Sequence, residues 1–235
     1  MWQRFSLDRR RLVPYLAAVV AGCAPRMAPL VPVDAVPVDR AAVVAWSAVT
    51  TPAGPAVHRF KWLYRDGRQS AGGRGSARVA APDSVRVDAR GPLGQGRSSG
   101  VVVGDSILWA QPEDNLIEAA PNVALMWALF GVAREPGPGA TLLGLERADF
   151  TAWRIVAGPD TLEYVREPGR GRLRAELRRA GQVVGRTEAT RDAAGVLTSA
   201  RLTVPSVPAR LDLTFLSSET PSEPFAPDVW LPDRP

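Results

Sequence analysis

Residues 172–178 read Arg-Leu-Arg-Ala-Glu-Leu-Arg, so that every second side chain is apolar and every intervening one is charged. A period of two places Leu173, Ala175 and Leu177 on one face of an extended strand and the charges on the other. A helix would scatter both sets around its circumference, so this segment is a strand with one dry face and one wet face. The same period recurs along the chain. Phe60, Trp62 and Tyr64 alternate with Arg59 and Lys61; Val85 and Val87, Trp153 and Ile155, Leu162 and Tyr164, Leu202 and Val204, and Leu211, Leu213 and Phe215 repeat it. Asp66-Gly67, Gly104-Asp105, Gly158-Pro159-Asp160, Gly181-Gln182 and Asp192 to Gly195 punctuate these runs as hairpin turns. The pattern predicts an antiparallel meander of about ten strands, covered on one side only.

Two segments break the rhythm. Asp39 is placed to cap a helix over residues 40–49, with Ala42, Trp46 and Val49 on one face, and Thr50-Thr51-Pro52-Ala53-Gly54-Pro55 stops it. Pro121 to Gly131 is apolar nearly all round, with proline near its start and glycine where a helix would end. A helix without a polar face is buried on most sides. It is either a core helix packed on the sheet or a lid or plug over a hydrophobic cavity. Arg134 to Gly139 follows as an irregular loop rich in glycine and proline.

Charge and rare residues narrow the function. The chain of 235 residues carries a net charge of +5, but residues 1–22 hold Arg4, Arg9, Arg10 and Arg11 against Asp8 and account for +3 of it. After these arginines, Leu12 to Gly22 forms an apolar run of eleven residues. That is too short for the ~20 residues a membrane-spanning helix needs, and it fits the core of a signal peptide behind an ordinary basic segment. The rest of the chain is nearly balanced. One cysteine and one histidine exclude an internal disulfide and any metal centre built on cysteine or histidine pairs. Residues 24–37 contain Pro25, Pro29, Pro32 and Pro37 and read as an extended tether.

The signal segment ends in Val20-Ala21-Gly22-Cys23. This resembles the lipobox of bacterial lipoproteins, and the chain's only cysteine stands at the junction. The resemblance implies cleavage before Cys23, a diacylglyceryl thioether on its sulfur and acylation of its new amino group. Several acyl chains on one residue make a firm anchor where a single chain holds marginally. Ala24 after the cysteine, in place of aspartate, implies sorting to the outer membrane.

Beyond the tether, the order of features is similar to that of the LolA/LolB superfamily. An N-terminal helix and hairpins come first, then Pro92-Leu93-Gly94 between two strands, then the apolar helix containing Leu125-x-Trp127-x-x-x-Gly131. The resemblance implies a mainly β (α+β) chain: an antiparallel open half β-barrel of about 10–11 strands with an N-terminal helix and an apolar lid or plug helix. It divides the chain into a signal peptide (1–22), a lipidated Pro-rich tether (23–37) and the half-barrel domain (38–231). It also implies an apolar interior for the acyl chains of other lipoproteins, with Trp62, Trp109, Leu125, Trp127, Phe130 and Trp153 as candidate lining. Leu93 matches the hydrophobic side chain that the lipid-anchored, LolB-like branch presents to the membrane. The implied function is an outer-membrane-anchored lipoprotein, facing the periplasm, that binds acyl chains and receives and inserts lipoproteins. The alternative is an anchored structural or small-ligand-binding lipoprotein of the same fold. Implied partners are membrane lipids, lipoprotein acyl chains and a soluble LolA-like carrier; a monomer is expected.

Other function classes find little support in these residues. His58, at the start of a strand, reads as a partly exposed side chain. The carboxylate pairs Glu113/Asp114 and Glu163/Glu167 fall on loops and wet faces, and neither a phosphate-binding glycine loop nor a Gly-x-Ser-x-Gly elbow occurs. No enzymatic activity, metal or cofactor is expected beyond the covalent lipid on Cys23. The densest basic stretch, Arg166 to Arg179, lacks interleaved aromatics, so nucleic acid is not expected as a partner.

Overall fold

A computed structural model of the protein describes residues 29–94, 96–112 and 122–232. The signal segment, Cys23, Glu113 and Asp114 lie outside the described residues. Thirteen strands form one antiparallel sheet: β1 (Val36–Pro37), β2 (Ala56–Arg65), β3 (Ser70–Ala80), β4 (Ser84–Arg90), β5 (Arg97–Val103), β6 (Ser106–Gln111), β7 (Thr141–Glu146), β8 (Thr151–Ala157), β9 (Asp160–Glu167), β10 (Arg172–Arg179), β11 (Gln182–Arg191), β12 (Leu197–Val204) and β13 (Ala209–Glu219). Their spatial order is β1-β7-β8-β9-β10-β11-β12-β13-β2-β3-β4-β5-β6. Two meanders, β2 to β6 and β7 to β13, are therefore joined by the pairing of the last strand with β2. The sheet ends at β1 and β6, which do not pair with each other, so it remains an open trough. This is the expected half-barrel, with more strands than the alternation shows.

Helix α1 (Arg40–Thr50) forms where the sequence places it, and Asp39 stands at its N-cap without a side-chain hydrogen bond. Its buried face is Val43, Trp46, Ser47 and Thr50, not Ala42, Trp46 and Val49; Val49 points to solvent. The shift by one residue brings Trp46 edge-on to Trp153, with ring centroids 5.9 Å apart.

Helix α2 (Val123–Leu129) crosses the trough against β10, β11 and β12. The Asn122 side chain accepts a hydrogen bond from the Ala124 N–H at 2.8 Å. At the other end Gly131 adopts φ +73°, and the N–H groups of Gly131 and Val132 return to the carbonyls of Ala128 and Trp127. Only a residue without Cβ takes that left-handed turn freely. Further hydrogen bonds fasten α2 to the sheet. Thr187 donates to the Leu125 carbonyl (3.1 Å), Trp127 to the Gly104 carbonyl (3.0 Å), and Arg191 to the Phe130 carbonyl (3.4 Å) at the helix C-terminus. The helix is a fixed plug. The loop that follows is equally engaged: Arg134 lies over the Trp127 ring and pairs with Asp105, and the carbonyls of Pro136 and Gly137 accept from Arg40.

The outer, convex face is charged but largely neutralised. Glu176, wholly buried, pairs with Arg178 and Arg186; Glu167 gathers Arg170, Arg172 and Arg174; Asp212 takes Arg201 and Arg210. Within the basic stretch 166–179, Arg170, Arg172, Arg174, Arg178 and Arg179 are thus ion-paired. Two chain segments strap this face. Leu30 and Val31 donate backbone N–H groups to the buried Glu163 carboxylate, at 2.7 and 3.2 Å, and Arg154 ties the same carboxylate to the Val31 carbonyl. The tether expected over residues 24–37 is therefore docked from Leu30 onward, where Val31 is fully buried beside Ala152 and Val165. At the far side, the turn at Pro227–Trp230 lies over β4 to β6, its carbonyls accepting from Arg86 and Trp109.

Candidate functional site

The inward-facing positions of the two meanders differ in size. On β8 to β10 they are Trp153, Ile155, Leu162, Tyr164, Leu173 and Leu177, which together with α1 and α2 fill the trough. On β3 to β5, toward the end with the 66–69 turn and the 91–96 loop, they are Ala71, Gly73, Gly75, Ala89, Ser98 and Gly100, set by register opposite Tyr64, Trp62 and Phe60 on β2. Valines (Val79, Val85, Val87 and Val102) follow only further along. Short of these valines, large side chains come from one wall and almost none from the other. The space left is an apolar cavity of about 290 Å³ bounded by Trp62, Leu211, Leu213, Met126, Leu129 and Phe130. It runs toward the end of the sheet that carries the 66–69 turn and the 91–96 loop, where Tyr64, Gln69, Ser98 and Pro112 border it.

Trp62 is held in place by its indole N–H, which donates to the Arg90 carbonyl at 3.2 Å across β3. Gly73 permits this crossing. A Cβ there would lie 1.9 Å from the Arg90 oxygen and 3.0 Å from the indole nitrogen. At the inner end, His58 stacks on Phe130, meets Phe215 edge-on and shares a 2.8 Å hydrogen bond with the Ser218 hydroxyl. Burial, reinforced by the charge of Arg191, lowers its pKa to about 4, so the imidazole is neutral at physiological pH. His58 is thus a core residue, only 6% exposed, and not the partly exposed strand residue expected. Tyr164, in the filled half, accepts from the Arg134 N–H at 3.1 Å, and burial pushes its phenol well above the ordinary range. Among the described residues no three His, Cys, Asp or Glu side chains converge to hold a metal ion.

The six candidate lining residues separate into three groups. Trp62 and Phe130 line the cavity. Leu125, Trp127 and Trp153 are buried away from the cavity: Leu125 lies on the face of α2 pressed against β11, Trp127 points from another side of the helix to the β5–β6 turn, and Trp153 lies beneath Trp46. Trp109 faces the other way. It pairs in register with Val101 on the convex side, donates to the Trp230 carbonyl at 2.8 Å and carries Arg86 over its ring. The C-terminal strap, not the trough, covers it. Cys23 lies outside the described residues. Leu93 sits in a short 3-10 turn, Pro92–Gly94, whose base is closed by the Gly91 N–H donating to the Gly96 carbonyl at 3.0 Å. The cavity residues missed in the sequence are Met126, Leu129 and the row of small residues on β3 to β5. Their signal was present, as Ala71, Gly73, Gly75 and Ala77 alternate with Gly72, Arg74 and Ser76.

No protein-family model matches this chain, and no curated protein matches it in sequence. Solved structures do match. A LolA superfamily protein from Nitrosomonas europaea superposes with a TM-score of 0.53 at 10% identity, covering 79% of this chain and 94% of the other. A candidate outer membrane lipoprotein-sorting protein domain from Vibrio parahaemolyticus gives 0.55 at 6% identity, covering 80% and 94%. The likeness is one of fold, and it spans nearly the whole of both relatives: this chain has the LolA/LolB-like fold.

Proposed function

We propose that the protein is a lipid-anchored protein of the bacterial cell envelope that holds an acyl chain in the cavity between β2 to β5 and α2. The observation that carries this reading is the cavity itself. Its wall is apolar, its space is made by small residues in register, and it reaches the end of the sheet where the Leu93 loop lies. Cys23 would supply the anchor, and Leu93 would contact the outer-membrane surface into which the chain is passed. The lipoprotein-sorting description belongs to the Vibrio relative; the shared fold and the lipobox support extending it here, with a soluble carrier as donor.

The cavity favours one refinement. At about 290 Å³ it stands at the low end of ligand sites, which run from ~300 to 1,000 Å³. Two or three long chains would need more, and α2 is fastened at both ends. The site therefore suits one chain, or a segment of one. This favours a single-chain lipid over a triacylated lipoprotein as the resident ligand, and so the small-ligand alternative over a full sorting role.

A chain-length series tests the proposal. Fatty acids of increasing length would displace an environment-sensitive fluorescent fatty acid from protein extracted from membranes, with intact mass reading the state of Cys23 in the same preparation. Each methylene transferred contributes about 0.8 kcal/mol, so affinity should rise about fourfold per carbon and then level off once the cavity is full. Absence of saturable displacement at every length would refute the acyl-chain reading. An unmodified cysteine in the membrane-extracted chain would refute the anchor.

A further inference from the structure

The convex face of β2 to β5 carries a line of cations in register. Lys61 is in register with Arg74, Arg74 with Arg90, and Arg90 with Arg97. Directly opposed residues of an antiparallel sheet project from the same face, so four positive side chains stand abreast on four adjacent strands, roughly 14 Å from first to last. All four are exposed. Like charges directly opposed destabilise a sheet, and folding alone gives no reason for the run of Lys61, Arg74 and Arg90. Elsewhere on this face opposed arginines have a carboxylate at hand, as Asp88 serves the Arg78–Arg86 pair and Asp212 serves Arg210 of the Arg65–Arg210 pair. Among the described residues no carboxylate pairs with Lys61, Arg74 or Arg90. The nearby acids are engaged or belong to the strap: Asp88 is held by Arg78 and Arg86, Glu219 by Arg59, and Asp228 borders the same shallow hollow from the C-terminal turn.

Position says what the row meets. Arg90 and Arg97 are the strand residues that flank the 91–96 loop, and the Arg90 carbonyl holds Trp62 of the cavity wall. The β12–β13 turn at the same end exposes Val207 (60%). The positions beside the row on this face, Ser76 and Ser99, are not aromatic, so there is no stacking platform for a nucleic acid. Cations on the convex face near the end of the sheet that carries the cavity mouth, with an apolar side chain exposed at the same end, are the pattern of a surface that meets lipid headgroups.

We propose that Lys61, Arg74 and Arg90 form a docking strip for an anionic bilayer, laying the cavity mouth against phosphate headgroups. The proposal deepens the acyl-chain reading by naming the surface that the mouth faces. Partitioning of the full chain carrying Cys23→Ser into vesicles tests it without the covalent anchor. Vesicles of phosphatidylcholine, with and without about one-third phosphatidylglycerol, would be compared at about 50 mM and about 500 mM salt. Arg74→Ser/Arg90→Ser should weaken binding to the anionic vesicles about 25-fold at low salt, at roughly fivefold per cation, and leave neutral-vesicle binding unchanged. The control Arg201→Ser/Arg210→Ser, which removes paired arginines, should leave both unchanged. The row variant should melt no lower than the parent, since it relieves repulsion. Equal binding of parent and row variant to anionic vesicles would overturn the proposal. So would tighter binding to polyglutamate than to those vesicles, which would assign the row to an acidic protein, or saturable binding of inorganic phosphate without vesicle preference. Displacement of the fluorescent fatty acid, measured on the same samples, separates the two readings. If the probe binds and the charge effect is absent, only the docking strip fails; if the charge effect persists without probe binding, only the acyl site fails.

Discussion

The two halves of the trough are built on one plan and end differently. Both are antiparallel meanders with a dry inner face, and both lie against α2. In the half formed by β7 to β12, Trp46, Trp153, Tyr164 and Leu125 pack together and leave little room, although among the described residues the buried indole nitrogens of Trp46 and Trp153 have no hydrogen-bond partner. In the half formed by β13 and β2 to β5, aromatics on one strand face glycine, alanine and serine on the next three, and a cavity remains. Whether such a sheet becomes a core or a container is decided by the size of its inward residues. Hydrophobicity is common to both.

Substitution where α2 is tied across to the β5–β6 turn should produce the largest loss of stability. Trp127 is fully buried, donates to the Gly104 carbonyl and anchors α2. Trp127→Ala should cost about 3–5 kcal/mol in denaturant unfolding, from lost contacts and the void left behind. A cost under ~1 kcal/mol would mean that α2 is loosely held, and the plug would have to be redrawn as a lid.

His58 stands at the boundary between the halves, and pH is the way to probe it. Its folded pKa, about 4, lies below the ordinary value of 6.5. As pH falls through 6.5 the unfolded chain takes up a proton that the folded chain refuses until about pH 4. Stability should therefore fall across that interval, by up to about 3 kcal/mol, and level off below it. His58→Phe preserves the aromatic stack and should flatten the profile over the same interval. An unchanged slope in the variant would place the titrating group elsewhere. Asp160, Glu167 and Asp212 have lowered pKa values through their arginine partners, so their contributions are lost at more acidic pH, below the ordinary carboxylate range.

What the sequence disclosed follows the same division. Strands with one wet face and one dry face, such as β10 and β13, are visible because alternation survives wherever water touches one side. β7 escapes because Leu142 faces the core while Leu145 packs beneath the docked N-terminal segment, so both faces are apolar. β11 escapes because α2 presses on it where Gly185, Thr187 and Ala189 face inward, leaving no large apolar residue to mark the period. The cavity was half legible for a related reason. Large aromatics advertise themselves, and Trp62 and Phe130 were found; but a tryptophan shows neither which face it occupies nor what covers it. Trp109 is covered by a tail more than a hundred residues away in sequence, and Trp153 by α1. The cavity is defined as much by what is missing from β3 as by what β2 supplies.

The smallest stability effect should accompany the clearest functional one. Ala71 faces the cavity from β3, opposite Tyr64 and close to the mouth. A phenyl ring at this position enters empty space bounded by apolar side chains. Overpacking of a closed core costs about 1–3 kcal/mol; here there is little to displace, so Ala71→Phe should change stability by less than about 1 kcal/mol. The same ring would occupy the volume that the acyl chain needs. Displacement of the fluorescent fatty acid should be lost, or the length at which affinity levels off should shorten by several carbons. The corresponding change in the filled half, Ala175→Phe, has no space to enter, because Ala175 is fully buried beneath α2. It should destabilise by more than the cavity variant and leave the chain-length profile of the folded fraction unchanged. If Ala71→Phe keeps the parent's profile, the ligand lies elsewhere. The hollow half would then be a flaw in packing, with no more claim to function than the filled one.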